Sequence, residues 1–452
     1  MLGSIIFQSL TINRVEFRKR ILRSSVGGRC CNYDGTVTDV WKNFEKRFAD
    51  AGVGAVISTT FHVNRWRLSP FQYPSIAEDH YVPYLKKYIP QIKHGNDCRF
   101  IMQIGDPGYA TYSSLFPQEA DTVSSSAGFD LAFGYGSTRR SMSAADIERS
   151  IAEYAAAARR VREAGADGVE VTATKGYLIH QFLNPGINCR DDEWGGDADR
   201  RFRFLEEIVR EIRRAVGADY LFGIRLSGAD FNYSPLALAL ARLPSPFLSR
   251  ARWMGNDLPQ MLEYGRRLQA LGVDYLHVVS GYGFPNPRDV PGAFPFDEVR
   301  MFFDSVRHLS GKAAIRAALL HVPPAFLWRW LLGIGWRFRS AANLDFARAF
   351  KQALPGMTVI ANGGFQERDL IEQALDAGDC DMVSMARALI ANPDLVHDFE
   401  RGRNAPEKPC SHCNKCVGRT GTSPLGCYDR SRFASWEEME KQILDWNRGD
   451  PP

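Results

Sequence analysis

Cys410, Cys413 and Cys416 follow a C-x2-C-x2-C spacing, and Cys427 stands a short loop away. Thiolates so spaced can wrap three corners of a cubane iron–sulfur cluster, with a fourth ligand from elsewhere in the chain. Zinc is the rival, although structural zinc sites usually pair two separated C-x2-C knuckles. A reduced, metal-free remnant is the third reading. The four cysteines are therefore the candidate metal ligands.

A second set of polar residues stands at the ends of apolar runs. Gln103, Thr172, Lys175, Tyr177 and Arg225 close three such runs, Asn362-Gly363-Gly364 closes another, and Ala386-Arg387 follows a further one. Paired glycines let a backbone approach an anion, and arginine offers a two-pronged cation, so Gly363, Gly364 and Arg387 suit a phosphate. Their position and pairing favour that reading over a tight turn beside a surface cation. Gln103 both donates and accepts hydrogen bonds. With Arg225 beside it, it suits the pyrimidine edge of a flavin, which turns electron-rich on reduction. The two groups together point to a mononucleotide cofactor.

These residues need a scaffold that brings strand ends to one place. A recurring phrase supplies it: a helix closes on glycine and a short apolar strand follows, at 51–58, 164–171, 271–278 and 377–384. Further strands are expected at 20–25, 99–104, 220–226 and 357–362, with amphipathic helices at 144–164, 199–216, 258–271 and 368–377. Eight alternating units predict an α/β fold, a closed (β/α)8 TIM barrel whose functional groups gather at the strand C-termini. No glycine-rich fingerprint follows the first strand, which argues against a dinucleotide-binding open sheet. The barrel is assigned to 1–403 and a cysteine-cluster extension to 404–452. Insertions are expected at about 234–255 and 312–343.

A formal net charge of +4 in 452 residues is too small for a nucleic-acid footprint. Nine scattered and clustered cysteines do not make a secreted disulfide framework. With no signal peptide recognised and no run long enough to span a bilayer, the expected location is cytoplasmic. The stretch 323–336 is apolar nearly all round, which leaves two readings for its insertion. It packs on the barrel or a second subunit of a homo-oligomer, or it dips into a membrane surface or guides an apolar substrate.

The run from Gly176 through Tyr177, Asn184-Pro185, Asn188, Arg190 and Asp192 to Gly196 resembles the old yellow enzyme family of FMN-dependent ene-reductases. So do Asn362-Gly-Gly-Phe365 and Ala386-Arg387-Ala-Leu-Ile-Ala-Asn392-Pro393. The cysteines point to the branch with 2,4-dienoyl-CoA reductase and trimethylamine dehydrogenase. The resemblance implies FMN held by Gln103, Arg225, Gly364 and Arg387, with Ser25, Val26 and Gly27 near its reactive edge. It implies NAD(P)H as electron donor, a small-molecule substrate with an activated alkene, and Tyr177 as proton donor. In the branch's longer enzymes a [4Fe–4S] cluster shuttles electrons to a nucleotide-binding module.

Several positions depart from the family. Thr172 and Lys175 replace the histidine and the asparagine or histidine that grip a substrate carbonyl, so those two are the candidate substrate contacts here. Gly27 stands where cysteine or threonine often tunes the flavin. Gly281-Tyr282-Gly283 lacks the branch's relay histidine, for which Tyr282 is a substitute. Two alternatives to an ene-reductase follow. One is a dehydrogenase passing electrons through the cluster to an external acceptor. The other is a non-catalytic, membrane-associated redox-sensing or partner-binding protein.

Overall fold

Gly52, Gly165, Gly272 and Gly378, the four glycines of the recurring phrase, have φ of +84°, +87°, +79° and +69°. Glycine enters that left-handed region without a Cβ clash, so each one stops a helix and turns the chain into a strand. The computed structural model describes residues 3–65, 72–110, 122–129, 138–232, 255–283, 286–322 and 324–445. In chain order its barrel strands are Ile21–Arg23, Ala55–Ile57, Arg99–Gly105, Gly168–Ala173, Leu221–Ser227, Tyr275–Val279, Thr358–Asn362 and Met382–Met385. Each pairs in parallel with the next, and the eighth returns to the first with Val383 opposite Ile21. The sheet closes into the expected (β/α)8 barrel. The apolar phrases of the sequence include turn residues, so several strands begin later than those phrases do.

Every residue of the fourth and fifth strands is buried. Strands covered on both faces by helices and barrel interior read as near-continuous apolar runs, which explains their sequence. Below, the hairpin Leu10–Ile12/Val15–Phe17 plugs the barrel. Its Ile12 and Phe17 pack on Leu22, Ile57, Ile101, Leu221 and Ile360 from the strands.

A repeated polar device ties that lower end together. Asp167, just before the fourth strand, accepts from the Phe100 backbone N–H of the third strand at 2.7 Å and from Lys93 Nζ at 2.7 Å. Asp274, before the sixth strand, accepts from the N–H of Phe222 at 2.7 Å and from Arg213 at 2.8 Å. Asp381, before the eighth, accepts from the N–H of Val359 at 2.8 Å and from Lys351 at 2.9 Å. In each case one carboxylate accepts from a backbone N–H near the start of the preceding strand and pairs with a cation from the helix that leads into that strand.

Helices Ala144–Glu163 and Ala198–Val216 are closed at their N-termini by Ser143, in a capping box with Asp146, and by Asp197. The second insertion forms helices Gly311–Leu319 and Ala325–Gly333, which pack on helix Phe296–Val306. Most of the first insertion, 233–254, lies outside the described residues. The cysteine extension also packs on Phe296–Val306, where a Cβ on Gly418 would stand 2.6 Å from the Glu298 Cβ.

Candidate active site

A cavity of about 720 Å³ lies at the C-terminal ends of the strands. Ser25, Val26 and Gly27 reach it from beyond the first strand, and Gln103 from the third. Thr172, Lys175 and Tyr177 enter from the fourth and Arg225 from the fifth. Asn362, Gly363 and Gly364 enter from the seventh, with Ala386 and Arg387 beyond the eighth. All the cofactor and substrate candidates thus share one space.

A hydrogen-bonded chain runs from the floor of that space into the buried barrel interior. Gln103 Nε2 donates to Glu170 Oε1 at 2.6 Å, and Thr60 donates to Gln103 Oε1. Tyr275 donates to Glu170 Oε2 at 3.2 Å, and His277 Nδ1 lies 3.0 Å from the same oxygen. His277 Nε2 meets Ser384 Oγ at 2.7 Å, which also accepts from Asn362 Nδ2 at 2.8 Å. A carboxylate can only accept, so the hydrogen sits on Nδ1 and Nε2 accepts from Ser384. Burial raises the Glu170 pKa, but His277, Arg225 and Gln103 more than offset this and keep it below the usual glutamate value. Burial, only partly countered by Glu170, holds the imidazole below 6.5. Glu170, His277 and Ser384 were not candidates from sequence. The available signal was a carboxylate and an imidazole inside otherwise apolar strands.

Arg225 is 4% exposed, and its Nε is buried without a hydrogen-bond partner among the described residues. Such a donor calls for a ligand acceptor. Lys175 has a left-handed backbone, φ +59°, and its Nζ donates to Asp289 Oδ2 at 2.8 Å. A Cβ on Gly27 would fall 1.7 Å from the Tyr73 hydroxyl, so Tyr73 fills the space that a cysteine or threonine there would need. Tyr282 is buried in the cavity wall, its hydroxyl 3.2 Å from that of Tyr109 and its ring 4.9 Å from that of His180.

The long motif around Tyr177 is a clamp. The Gly176 N–H donates to His180 Nδ1 at 3.0 Å, and His180 Nε2 meets Asp230 at 2.7 Å. Asn184 donates to Asp230 at 2.7 Å, while Asn188 donates to the Phe182 and Trp194 carbonyls at 2.8 Å each. The motif's polar residues hold the loop that carries Lys175 and Tyr177.

The cysteine segment abuts the same cavity, with His412 and Cys416 in its lining. Arg387 Nη1 donates to the Pro291 carbonyl at 2.6 Å and to Asn414, within the motif itself. His412 and Asn414 have φ of +55° and +58°, tight turns between successive cysteines. Burial and Arg387 push His412 down to about 3. Burial raises the Cys416 thiol. Among the described residues no three His, Cys, Asp or Glu side chains are arranged to hold a single metal ion.

The sequence profile of the NADH:flavin oxidoreductase / NADH oxidase family matches residues 5–236, just over half of the chain. The chain belongs to this family. A dihydrouridine synthase profile matches residues 336–423. The chain is 26% identical over 427 residues to a metal reductase of Desulforamulus reducens, covering 94% of this chain and 53% of that protein. It is 25% identical over 421 residues to the multifunctional alkene reductase/demethylase OYE of Caballeronia cordobensis, covering 91% and 51%. A 2-naphthoyl-CoA reductase in complex with 2-naphthoyl-CoA superposes with a TM-score of 0.75 at 22% identity, covering 99% of this chain and 58% of that one. The chain thus spans about half the length of the curated relatives it matches.

Membership of the NADH:flavin oxidoreductase / NADH oxidase family makes FMN the cofactor that this barrel is built to hold. The cavity fits a flavin mononucleotide on its own chemistry. Arg225 brings an unsatisfied buried donor to it, and the glycine pair with Arg387 brings backbone and a cation. No helix among the described residues is long and apolar enough to cross a membrane.

Proposed function

We propose that the protein reduces an activated C=C bond of an apolar, unsaturated small molecule with electrons from NADH or NADPH. FMN, held by these residues, would supply the hydride-transfer chemistry between nicotinamide and alkene. The observation that carries this reading is the convergence of Gln103, Tyr177, Arg225 and Arg387 on one cavity.

Arg225 and Gln103 bind the electron-rich edge of the flavin, and a fixed cation there favours the state with more negative charge. Gly363, Gly364 and Arg387 would receive the phosphate, with Ser25, Val26 and Gly27 on the neighbouring strand end. Lys175, oriented by Asp289, presents a cation to the substrate's carbonyl or carboxylate oxygen, and Thr172 adds a hydroxyl. Tyr177 gives its phenolic proton to the carbon next to the one that accepts hydride. A phenol near pKa 10 holds that proton at neutral pH. The substrate gains one hydride and one proton, and its C=C becomes C–C.

Purified protein reconstituted with FMN tests this directly. NADH or NADPH consumption should match formation of a saturated product from hydrophobic enones. Failure to bind FMN would end the proposal.

A second reading rests on Cys416 and His412 lining the same cavity. Cys410, Cys413, Cys416 and Cys427 would be the ligands of a [4Fe–4S] cluster, which would supply one-electron transfer from an oxidised substrate to an external acceptor. Iron and sulfide assays with EPR after dithionite separate the two. Without an iron signal this second reading falls.

A further inference from the structure

The second insertion has two apolar sides. On one, Leu320, Trp328, Leu331 and Leu332 line the cavity. On the other, Ile315 and Val322 are 63% and 76% exposed and Phe326 and Trp330 are 65% and 68% exposed, while Leu319, 55% exposed, also reaches the cavity. Phe326 and Trp330 are four residues apart and share one helix face, as do Ile315 and Leu319. Helix Ala325–Gly333 buries none of its residues. Large exposed apolar clusters of this kind mark contact surfaces.

Charge says what covers this one. From residue 305 to residue 344 there are six arginines and lysines and no aspartate or glutamate, in a chain whose whole formal net charge is +4. Arg329 reaches back to Asp297 at 2.8 Å, but no carboxylate lies within the segment itself. A second copy docking here would set cations against cations. An anionic phospholipid surface accepts both features, because aromatic and aliphatic tips enter the headgroup region while basic residues meet phosphates.

We propose that helices Gly311–Leu319 and Ala325–Gly333 dock the protein on an anionic phospholipid surface, with Phe326 and Trp330 as the inserted tips. The cavity then receives apolar substrate through a wall that touches lipid. That last consequence rests on the proposed reduction chemistry, whereas the docking does not, so vesicle binding without substrate tests it separately.

The test is flotation of FMN-loaded protein with phosphatidylcholine vesicles, with and without phosphatidylglycerol, beside a Phe326→Ser/Trp330→Ser variant. Both side chains are exposed, and unchanged flavin content and NADH oxidation with a soluble quinone report an intact fold. The protein should float with the phosphatidylglycerol vesicles. Its bound fraction should fall on the order of tenfold in the variant, and again in high salt. No flotation with either lipid at low salt would overturn the proposal, as would equal flotation of protein and variant. Sedimentation equilibrium adds a third arm. If the protein is a dimer that the double substitution dissociates, the face belongs to a second copy and the proposal fails.

Discussion

Lys175 donates from Nζ to Asp289 Oδ2 at 2.8 Å, joining the loop after the fourth strand to the loop after the sixth across the cavity wall. The Asp289 side chain is 1% exposed, so removing its partner leaves a carboxylate with no access to water. Lys175→Met should lower unfolding free energy by roughly 3 kcal/mol, and adding Asp289→Asn should recover most of it. Urea titration of the two single variants and the double variant measures this. Burial, with Arg225 and Arg387, holds Lys175 below 10.5 against the pull of Asp289. Between its lowered pKa and 10.5 the unfolded chain binds the proton more tightly, so this group's contribution to stability rises with pH. Lys175→Met should lose that rise.

Tyr177→Phe should leave flavin reduction by NADH unchanged while alkene turnover falls by roughly 10²- to 10⁴-fold. Rapid mixing resolves the two half-reactions. Equal loss in both would assign Tyr177 to flavin binding instead of protonation.

The carboxylate of Glu170 accepts from Gln103, Tyr275 and His277 in a dry interior. Glu170→Leu should cost about 3–5 kcal/mol, because those donors lose their acceptor together. Burial, only partly countered by Glu170, holds the His277 pKa below 6.5 in the folded protein. As pH falls below 6.5 the unfolded chain takes up a proton that the folded ring resists, so this group contributes a loss of stability towards acid. Denaturant midpoints between neutral and mildly acidic pH check the sign.

Asp381 ties the Val359 N–H of the seventh strand to Lys351, at the barrel end away from the cavity. Asp381→Ala should destabilise by about 2 kcal/mol while FMN affinity of the folded protein stays constant. Parallel melting and flavin titration would show it. A weakened flavin site would mean that the two ends of the barrel are coupled.

The sequence made the barrel and its mouth legible for one reason: glycine-ended helices and apolar strands carry a strong local pattern, and polar residues at strand ends must face the same opening. Gln103, Lys175, Tyr177, Arg225 and Arg387 were found that way, and all line the cavity. Glu170 and His277 were not, because their partners are 67 to 107 residues away and only barrel closure brings them together. The aspartates of the lower end hid for the same reason. Tyr73 against Gly27 depends on a loop contact that no periodicity encodes. The long motif after Tyr177 was legible as a signature, but its work in bracing the loop through Asp230 appears only in three dimensions.

The central claim is that one cavity carries electrons from a nicotinamide to an alkene. Its most direct test reduces the FMN-loaded protein with one equivalent of NADH or NADPH without oxygen, then mixes it with a hydrophobic enone and follows flavin absorbance. The oxidised spectrum should return at a rate that rises with enone concentration, with one saturated product per flavin. A reduced spectrum that persists against a range of enones, yet is oxidised by a one-electron acceptor, would contradict it.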